Sequence, residues 1–341
     1  MRSRLASVAV AAATAMMLGC GGAPNVPSAP PAPPLHLLPT SDLAQAAGLS
    51  WLVQVRPRDL FADPQMVQAI RWLFSDARFE TFARRHGGID VRELDELTIA
   101  GYPQVTLFLA HGLVDPAKVE GAFAARATKV DGRGIDRKAD PLGTIVRTWG
   151  TVNGERQQLA IFGREAVGLE VGRFGPLRAA EFFAQERLKK ASPALRVTPL
   201  DRAIPIVGNA PLTAFAPGPF TGEYERALGG MLRAATAVAL SVRIAGPASP
   251  APDAGRLAVR LALLGSFQND DPSAAQRFAA AIHVISESAL GRLCGLNDPV
   301  AGPDVHAEPD ALVAELTISA TSLFRGIQAA TGASVDELMR Y

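Results

Sequence analysis

Few side chains in this chain of 341 residues have a type and spacing suited to chemistry. His283 and Glu287 stand four apart in an apolar-striped segment, so they would share one helix face and could meet a common ion. A zinc site needs at least three protein ligands, and a solvated helix pair is the plainer reading. His306, Glu308 and Asp310 alternate ahead of an apolar run. Three such groups could hold a metal weakly, but a Pro-containing loop of solvated polar groups is preferred. Asp90, Glu93, Asp95 and Glu96 crowd before Leu97. There Asp90 would cap a short helix and Glu93 would sit in its first turn, which accounts for them without catalysis. No catalytic residue, metal site or cofactor is expected. The chain has no Gly-x-Ser-x-Gly elbow and no Ser-x-x-Lys pair, and Gly265-Ser266 lacks the second glycine of an elbow. Nothing matches a phosphate loop, and Gly132-Arg133-Gly134 falls in a charged loop. His36, His86, His111, His283 and His306 are scattered, with no His-Glu-x-x-His.

The most reactive position is Cys20. Arg2 and Arg4 form a basic start, Leu5 to Leu18 an apolar stretch too short to span a bilayer, and Gly19 a small residue before the thiol. Met17-Leu18-Gly19-Cys20 resembles the lipobox of a bacterial lipoprotein signal, with Met17 where most such signals carry Leu. The resemblance covers residues 1–20 only. It implies a signal peptide over 1–19, cleavage before Cys20, and acylation of its sulfur and new amine. Several acyl chains anchor firmly, since each buried CH₂ contributes ~0.8 kcal/mol and a single chain binds only marginally. Gly21 stands where an Asp would resemble an inner-membrane retention signal, which favours the outer membrane, facing the periplasm.

Residues 20–40 are expected to be a tether. Pro24, Pro27, Pro30, Pro31, Pro33, Pro34 and Pro39 crowd a stretch without Asp, Glu, Lys or Arg, as an extended polyproline segment requires. The remainder is globular in composition, 48% hydrophobic and 20% charged. A formal charge of +1 for the whole chain, falling to −1 without Arg2 and Arg4, gives no field for binding nucleic acid. Aromatics at 6% are too sparse for stacking platforms. Removing Cys20 to lipid leaves Cys294 as the remaining thiol, so an internal disulfide is excluded. Cys294 ends an apolar helical pattern and reads as a buried, inert thiol.

The folded part reads as a module written twice, with a first module over 41–205 and a second over 206–341. Trp51 to Pro57 and Leu212 to Pro217 are opening strands stopped by proline. Helices are expected over Gln65 to His86 and Glu223 to Ala235, the first ended by Gly87-Gly88. Strands follow over Leu97 to Ala100 and Val105 to Ala110, and again over Val238 to Ala245 and Leu257 to Leu264. Asp115-Pro116 and Asp271-Pro272 then start helices containing Phe123 and Phe278. Ala275, Phe278, Ile282, Ile285, Ala289 and Leu293 form one apolar stripe. Val167 to Val171 and Leu312 to Ile318 close each module. A further hairpin, Thr144 to Trp149 and Gln157 to Phe162, is expected around Asn153-Gly154. The fold class is α+β: antiparallel sheets with helices packed on one face, in two similar halves.

The expected role is that of a membrane-anchored envelope lipoprotein without catalytic activity, binding or scaffolding an envelope protein partner. The charged stretch Arg126 to Asp140 reads as a solvated hairpin-like excursion, with a docking surface for an anionic envelope partner as the functional alternative. Two alternatives stand: a carrier of an apolar ligand such as a lipid, and an envelope hydrolase with dispersed catalytic residues.

Overall fold

Among the described residues, the strand-forming runs pair into one antiparallel sheet of twelve strands. The computed structural model describes residues 35–37, 39–127, 135–173, 175–187, 191–246, 255–267 and 272–331. Cys20 and Asp271, with the expectations placed on them, lie outside these residues. The described residues belong to one compact unit, Pro34–Tyr341.

In chain order, β1 (Trp51–Val55) leads to α1 (Pro57–Phe61), α2 (Pro64–Ile70) and α3 (Asp76–Arg85). Next come β2 (Glu96–Tyr102), β3 (Val105–His111), α4 (Pro116–Arg126) and β4 (Asp136–Ala139). The hairpin β5 (Ile145–Val152) and β6 (Glu155–Phe162) precedes β7 (Ala166–Gly172), α5 (Pro176–Ala184) and α6 (Leu200–Val207). Then β8 (Leu212–Pro217), β9 (Ala237–Ile244) and β10 (Arg256–Leu264) run to α7 (Pro272–Glu287) and α8 (Ala289–Leu293). The last elements described are β11 (Ala301–Glu308), β12 (Ala311–Ser319) and α9 (Ala320–Thr331).

Helix starts follow local chemistry. Pro occupies the first turn of α1, α2, α4 and α5, where its missing N–H costs nothing. Asp63 Oδ1 accepts from the Gln65 and Met66 amides at 2.8 and 3.0 Å, and Asp115 Oδ1 accepts from Lys118 N at 3.2 Å. The β5–β6 turn places Asn153 at φ 52° and Gly154 at φ 85°, the left-handed pair that a two-residue hairpin needs.

The strands lie in the order β11-β12-β10-β9-β8-β1-β2-β3-β7-β6-β5-β4. The two expected modules therefore meet edge to edge through the β1–β8 pair, where Leu52 faces Phe215. The expected boundary at 205/206 falls inside α6.

Helices were expected on one sheet face, and they cover both. Leu107, Leu109, Ala160 and Phe162 pack with Leu177 and Phe183 of α5 and with Leu200 and Val207 of α6. Residues one step along the same strands, Ala110, Leu159 and Ile161, pack instead with Val119 and Phe123 of α4. Strands apolar at both parities need cover on both sides, and each fully buried side chain contributes ~1.5–3 kcal/mol.

Four further expectations are corrected. The helix foreseen from Gln65 to His86 breaks between α2 and α3. The Phe74 and Phe79 rings, 5.8 Å apart, are five positions apart, a step that one straight helix does not bring together. The helix foreseen over Glu223 to Ala235 is a kinked pair of 3₁₀ turns across Gly222–Arg233, with Leu228, Gly229 and Gly230 at positive φ. His306 and Glu308 lie in the edge strand β11, not a loop. Pro303 is accommodated there at a register shift between Ala301 and Asp304, where a sheet tolerates proline. The tether ends before Thr40: the His36 amide donates to Ala184 O at 2.8 Å, and Leu37 and Thr40 are buried. Alternating Leu35 and Leu37 give that stretch an apolar edge which the spacer composition of the preceding residues lacks.

Candidate functional site

On the α4 side of the sheet, the register aligns Ile99, Phe108, Leu169 and Leu159 in one cross-strand row. Leu97, Ala110, Val167 and Ile161 form the next row. These rows make an apolar floor. Ile99, Phe108 and Leu169 are only half-buried, although β2, β3 and β7 have neighbours on both sides. They are incompletely covered because α3 and α4 stand apart above them. The result is a recess of about 390 Å³, roofed by Phe74, Phe79 and Phe82 on one side and by Val119 and Phe123 on the other. Ile89, Val91 and Leu94 close a third side.

The helices are fixed at the rim. Gly87 ends α3 at φ 71°, against the backbone of Val119. Arg92 lies over the Phe79 ring at 5.4 Å and is paired with Asp90 at 2.6 Å. That hydrogen bond lowers the Asp90 pKa from the usual aspartate value, more than outweighing its partial burial. Asp90 Oδ1 also accepts from the Arg92 amide at 3.0 Å, as the capping expectation required. Of the neighbouring carboxylates, Asp95 pairs with Arg58, and Glu96 accepts from Thr40 N at 2.7 Å and Gln54 Nε2 at 3.2 Å.

Among the described residues, the polar groups lining the recess are His86 and Arg126. His86 is buried, and its ring stacks on Phe82 with centroids 3.9 Å apart. Nδ1 lies 2.8 Å from Phe82 O, so Nδ1–H donates there and leaves Nε2 as an acceptor. Arg126 Nη1 donates to that Nε2 at 2.7 Å, and its Nε donates to Ala122 O at 3.2 Å. Burial, and then the charge of Arg85, lower the Arg126 pKa from the usual arginine value. The guanidinium stays protonated all the same. The recess is thus an apolar space with a cation and an imidazole in its wall.

The positions singled out from sequence do not converge. His283 and Glu287 are exposed on α7, and Glu287 pairs with Arg292 of α8 at 3.2 Å. His306 lies on the other sheet face, 3.6 Å from Glu308 and 3.9 Å from Asp304, while Arg260 pairs with Glu308 and Glu315. Among the described residues no group of three His, Cys, Asp or Glu is placed to hold a metal ion. Cys294 is buried, and burial raises its thiol pKa. An open cleft of about 540 Å³ lies at Arg202, Arg233 and Asp310, and a shallower one of about 290 Å³ over β10 and β12. Neither has the predominantly apolar lining of the α3–α4 recess.

Sequence reasoning missed the recess. His86 was one of five scattered histidines, and Arg126 the start of a charged stretch. The available signal was Phe74, Phe79 and Phe82 within one short segment, more aromatic surface than one helix face of that length buries on its own.

Fold and recess together define an α+β protein with an apolar pocket on one antiparallel sheet. No family model matches the chain, and no curated protein or solved structure matches it. Among the described residues, no helix is long and apolar enough to cross a membrane.

Proposed function

We propose that this is a lipid-anchored envelope protein that holds an apolar ligand in the α3–α4 recess. The observation that carries the reading is the half-buried row Ile99, Phe108 and Leu169 beneath a recess of about 390 Å³. That volume lies near the lower end of the ~300–1,000 Å³ typical of ligand sites, and its lining is of the same apolar kind. It suits a single acyl chain or a molecule of similar bulk. Lipidation at Cys20, and retention at the outer membrane facing the periplasm, would keep such a site beside a source of apolar ligands. The carrier reading thereby moves ahead of the partner-binding scaffold.

We also propose that the sheet is built from two similar halves. Outward from the β1–β8 pair, the orders β1-β2-β3-β7-β6 and β8-β9-β10-β12-β11 run alike. α4 with Phe123 and α7 with Phe278 stand at the same place in each order. Under this reading the halves diverged in filling. Phe278, Met231 and Ile282 pack the second half closed, whereas the first keeps its space.

The test uses the full mature chain and the environment-sensitive probe N-phenyl-1-naphthylamine. Saturable fluorescence enhancement is expected, and Ile99→Trp, which fills the floor, should abolish it. No uptake, or equal uptake by the filled variant, would remove the carrier reading. Organic extraction of protein purified from its own envelope should release an apolar molecule near stoichiometry. Release of none, with a protein partner co-purifying, would restore the scaffold reading.

A further inference from the structure

The floor of the recess continues beyond its walls. Its row runs on from Ile99 through Val53, Ala214 and Leu240 to Leu261, each paired in register with the next across β2, β1, β8, β9 and β10. These side chains are only half-buried, although all of these strands lie inside the sheet. On the opposite face the same strands are sealed, with Leu52, Ala100, Phe215, Ala239 and Ala262 buried. α6, the helix packed on β8 and β9, lies on that opposite face. On the recess side, α4 stands on β5 and β6 at one end, and α7 stands on β11 and β12 at the other. Between them an open apolar trough runs out of the recess. From β7 to β10, no Asp, Glu, Lys, Arg or His points to this face among the described residues.

Length decides what such a trough takes. From Leu169 on β7 to Leu261 on β10 the row crosses strand spacings of ~4.8 Å that add to roughly 29 Å. The hydrocarbon core of a bilayer, two acyl chains deep, is about 30 Å thick. The row thus has the length of two chains, whereas the recess of about 390 Å³ suits one. Both ring nitrogens of His86 are already engaged, with Phe82 O and with Arg126, so the recess wall keeps no imidazole donor or acceptor for a head group. A second copy of this chain is held off. Face-to-face sheets pack ~10 Å apart, and helices about 10 Å across would stand on this face of both copies.

We infer that the ligand is a lipid with two or more acyl chains, one chain in the α3–α4 recess and a second over Val53, Ala214 and Leu240, its head group in solvent. This class rests on the apolar-ligand reading and narrows it.

The experiment uses the full mature chain and dioctanoylphosphatidylcholine bearing a photoreactive diazirine in one chain, below its micelle concentration. After illumination, mass spectrometry should place the label both on β2–β3 and on β8–β9. In displacement of N-phenyl-1-naphthylamine, the unlabelled two-chain lipid should bind about tenfold or more tighter than its one-chain octanoyl counterpart. Leu240→Asp sets a charge in the trough, on a strand separated from β2 by β1 and β8. It should bring the two affinities together and leave that of the one-chain lipid unchanged. Label on β2–β3 alone, with equal affinities for the two lipids, overturns the inference while leaving the recess as an apolar site. Label on neither pair of strands, with no displacement, overturns the recess reading itself. A lipid-free dimer that Leu240→Asp splits, with no label on β8–β9, assigns the trough to a second copy and equally overturns the inference. Labelling of the unaltered protein decides the matter even where the variant fails to fold.

Discussion

Gly87 lies against Val119 so closely that a Cβ on it would come within 2.5 Å of the Val119 N and Cα. Its φ of 71° is also a conformation that L side chains rarely adopt. This contact sets how near α3 comes to α4, and with it the mouth of the recess. Gly87→Ala should lower stability by roughly 1–3 kcal/mol, from strain and overpacking together, and should weaken probe binding. Gly121, exposed within α4 with open space around it, is the control. Gly121→Ala should raise stability by about 0.5–1 kcal/mol, because a helix-interior glycine costs backbone entropy. Urea midpoints that move the same way for both would refute the close contact.

Phe278 and Phe108 share a residue type but not a surrounding. Phe278 is fully buried against Leu263 and Leu312, while Phe108 is half-buried on the floor of the recess. Phe278→Ala should cost about 3–5 kcal/mol, the usual range for a large core ring. Phe108→Ala should cost roughly 1 kcal/mol, since part of its surface already lacks protein contacts. Its larger effect should be on ligand affinity. Similar stability losses for the two variants would mean that the recess is closed and filled in solution.

What the sequence disclosed depended on how local the governing physics is. The β5–β6 hairpin was legible because Asn153-Gly154 specifies its own turn, and the α4 start because Asp115-Pro116 caps it. The edge strand β11 was not. Its exposed residues Ala301 to Asp304 show no alternation, and its pairing comes from β12 alone. Cover on both faces was hidden because α5 and α6 fall between the two strand groups in sequence and then pack beneath them. The recess was least legible. Ile99, Phe108, Leu169 and Leu159 become one surface only through the register of four strands, and Arg126 joins His86 only when α3 and α4 are placed side by side.

The anchor is tested apart from the fold. Under the proposed lipidation, Cys20→Ser removes the sulfur that would receive the diacylglycerol. The variant should accumulate as an uncleaved or soluble product that takes up no labelled fatty acid, whereas the unaltered chain partitions into detergent. One acyl chain alone binds marginally, so partial loss of acylation should already shift the partition. Normal lipid labelling of the variant would remove Cys20 as the anchor.

Glu181 makes the stability of the α5 face depend on pH. It lies on α5 with 9% exposure, and burial raises its pKa to about 7 from 4.5. The charge of Arg147, whose Nε is 3.1 Å from Oε1, opposes the shift along with Arg178, while Asp140 and Glu170 reinforce it. Glu170 itself is raised by burial, although it accepts from the Gly175 and Leu177 amides. A carboxyl raised in the folded state binds more protons folded than unfolded between the two pKa values. Stability therefore falls as pH rises from about 4.5 to about 7, by at most about 3 kcal/mol from Glu181. Asp90 and Asp140, both lowered, act oppositely and below that window, since their contribution is lost as pH falls through their folded pKa values. The urea midpoint should accordingly drop between pH 5 and pH 8 in the unaltered protein. Glu181→Gln, a neutral mimic of the protonated carboxyl, should flatten that drop and leave the midpoint at pH 8 no lower than in the unaltered protein. An unchanged slope in the variant would assign the pH dependence to other groups.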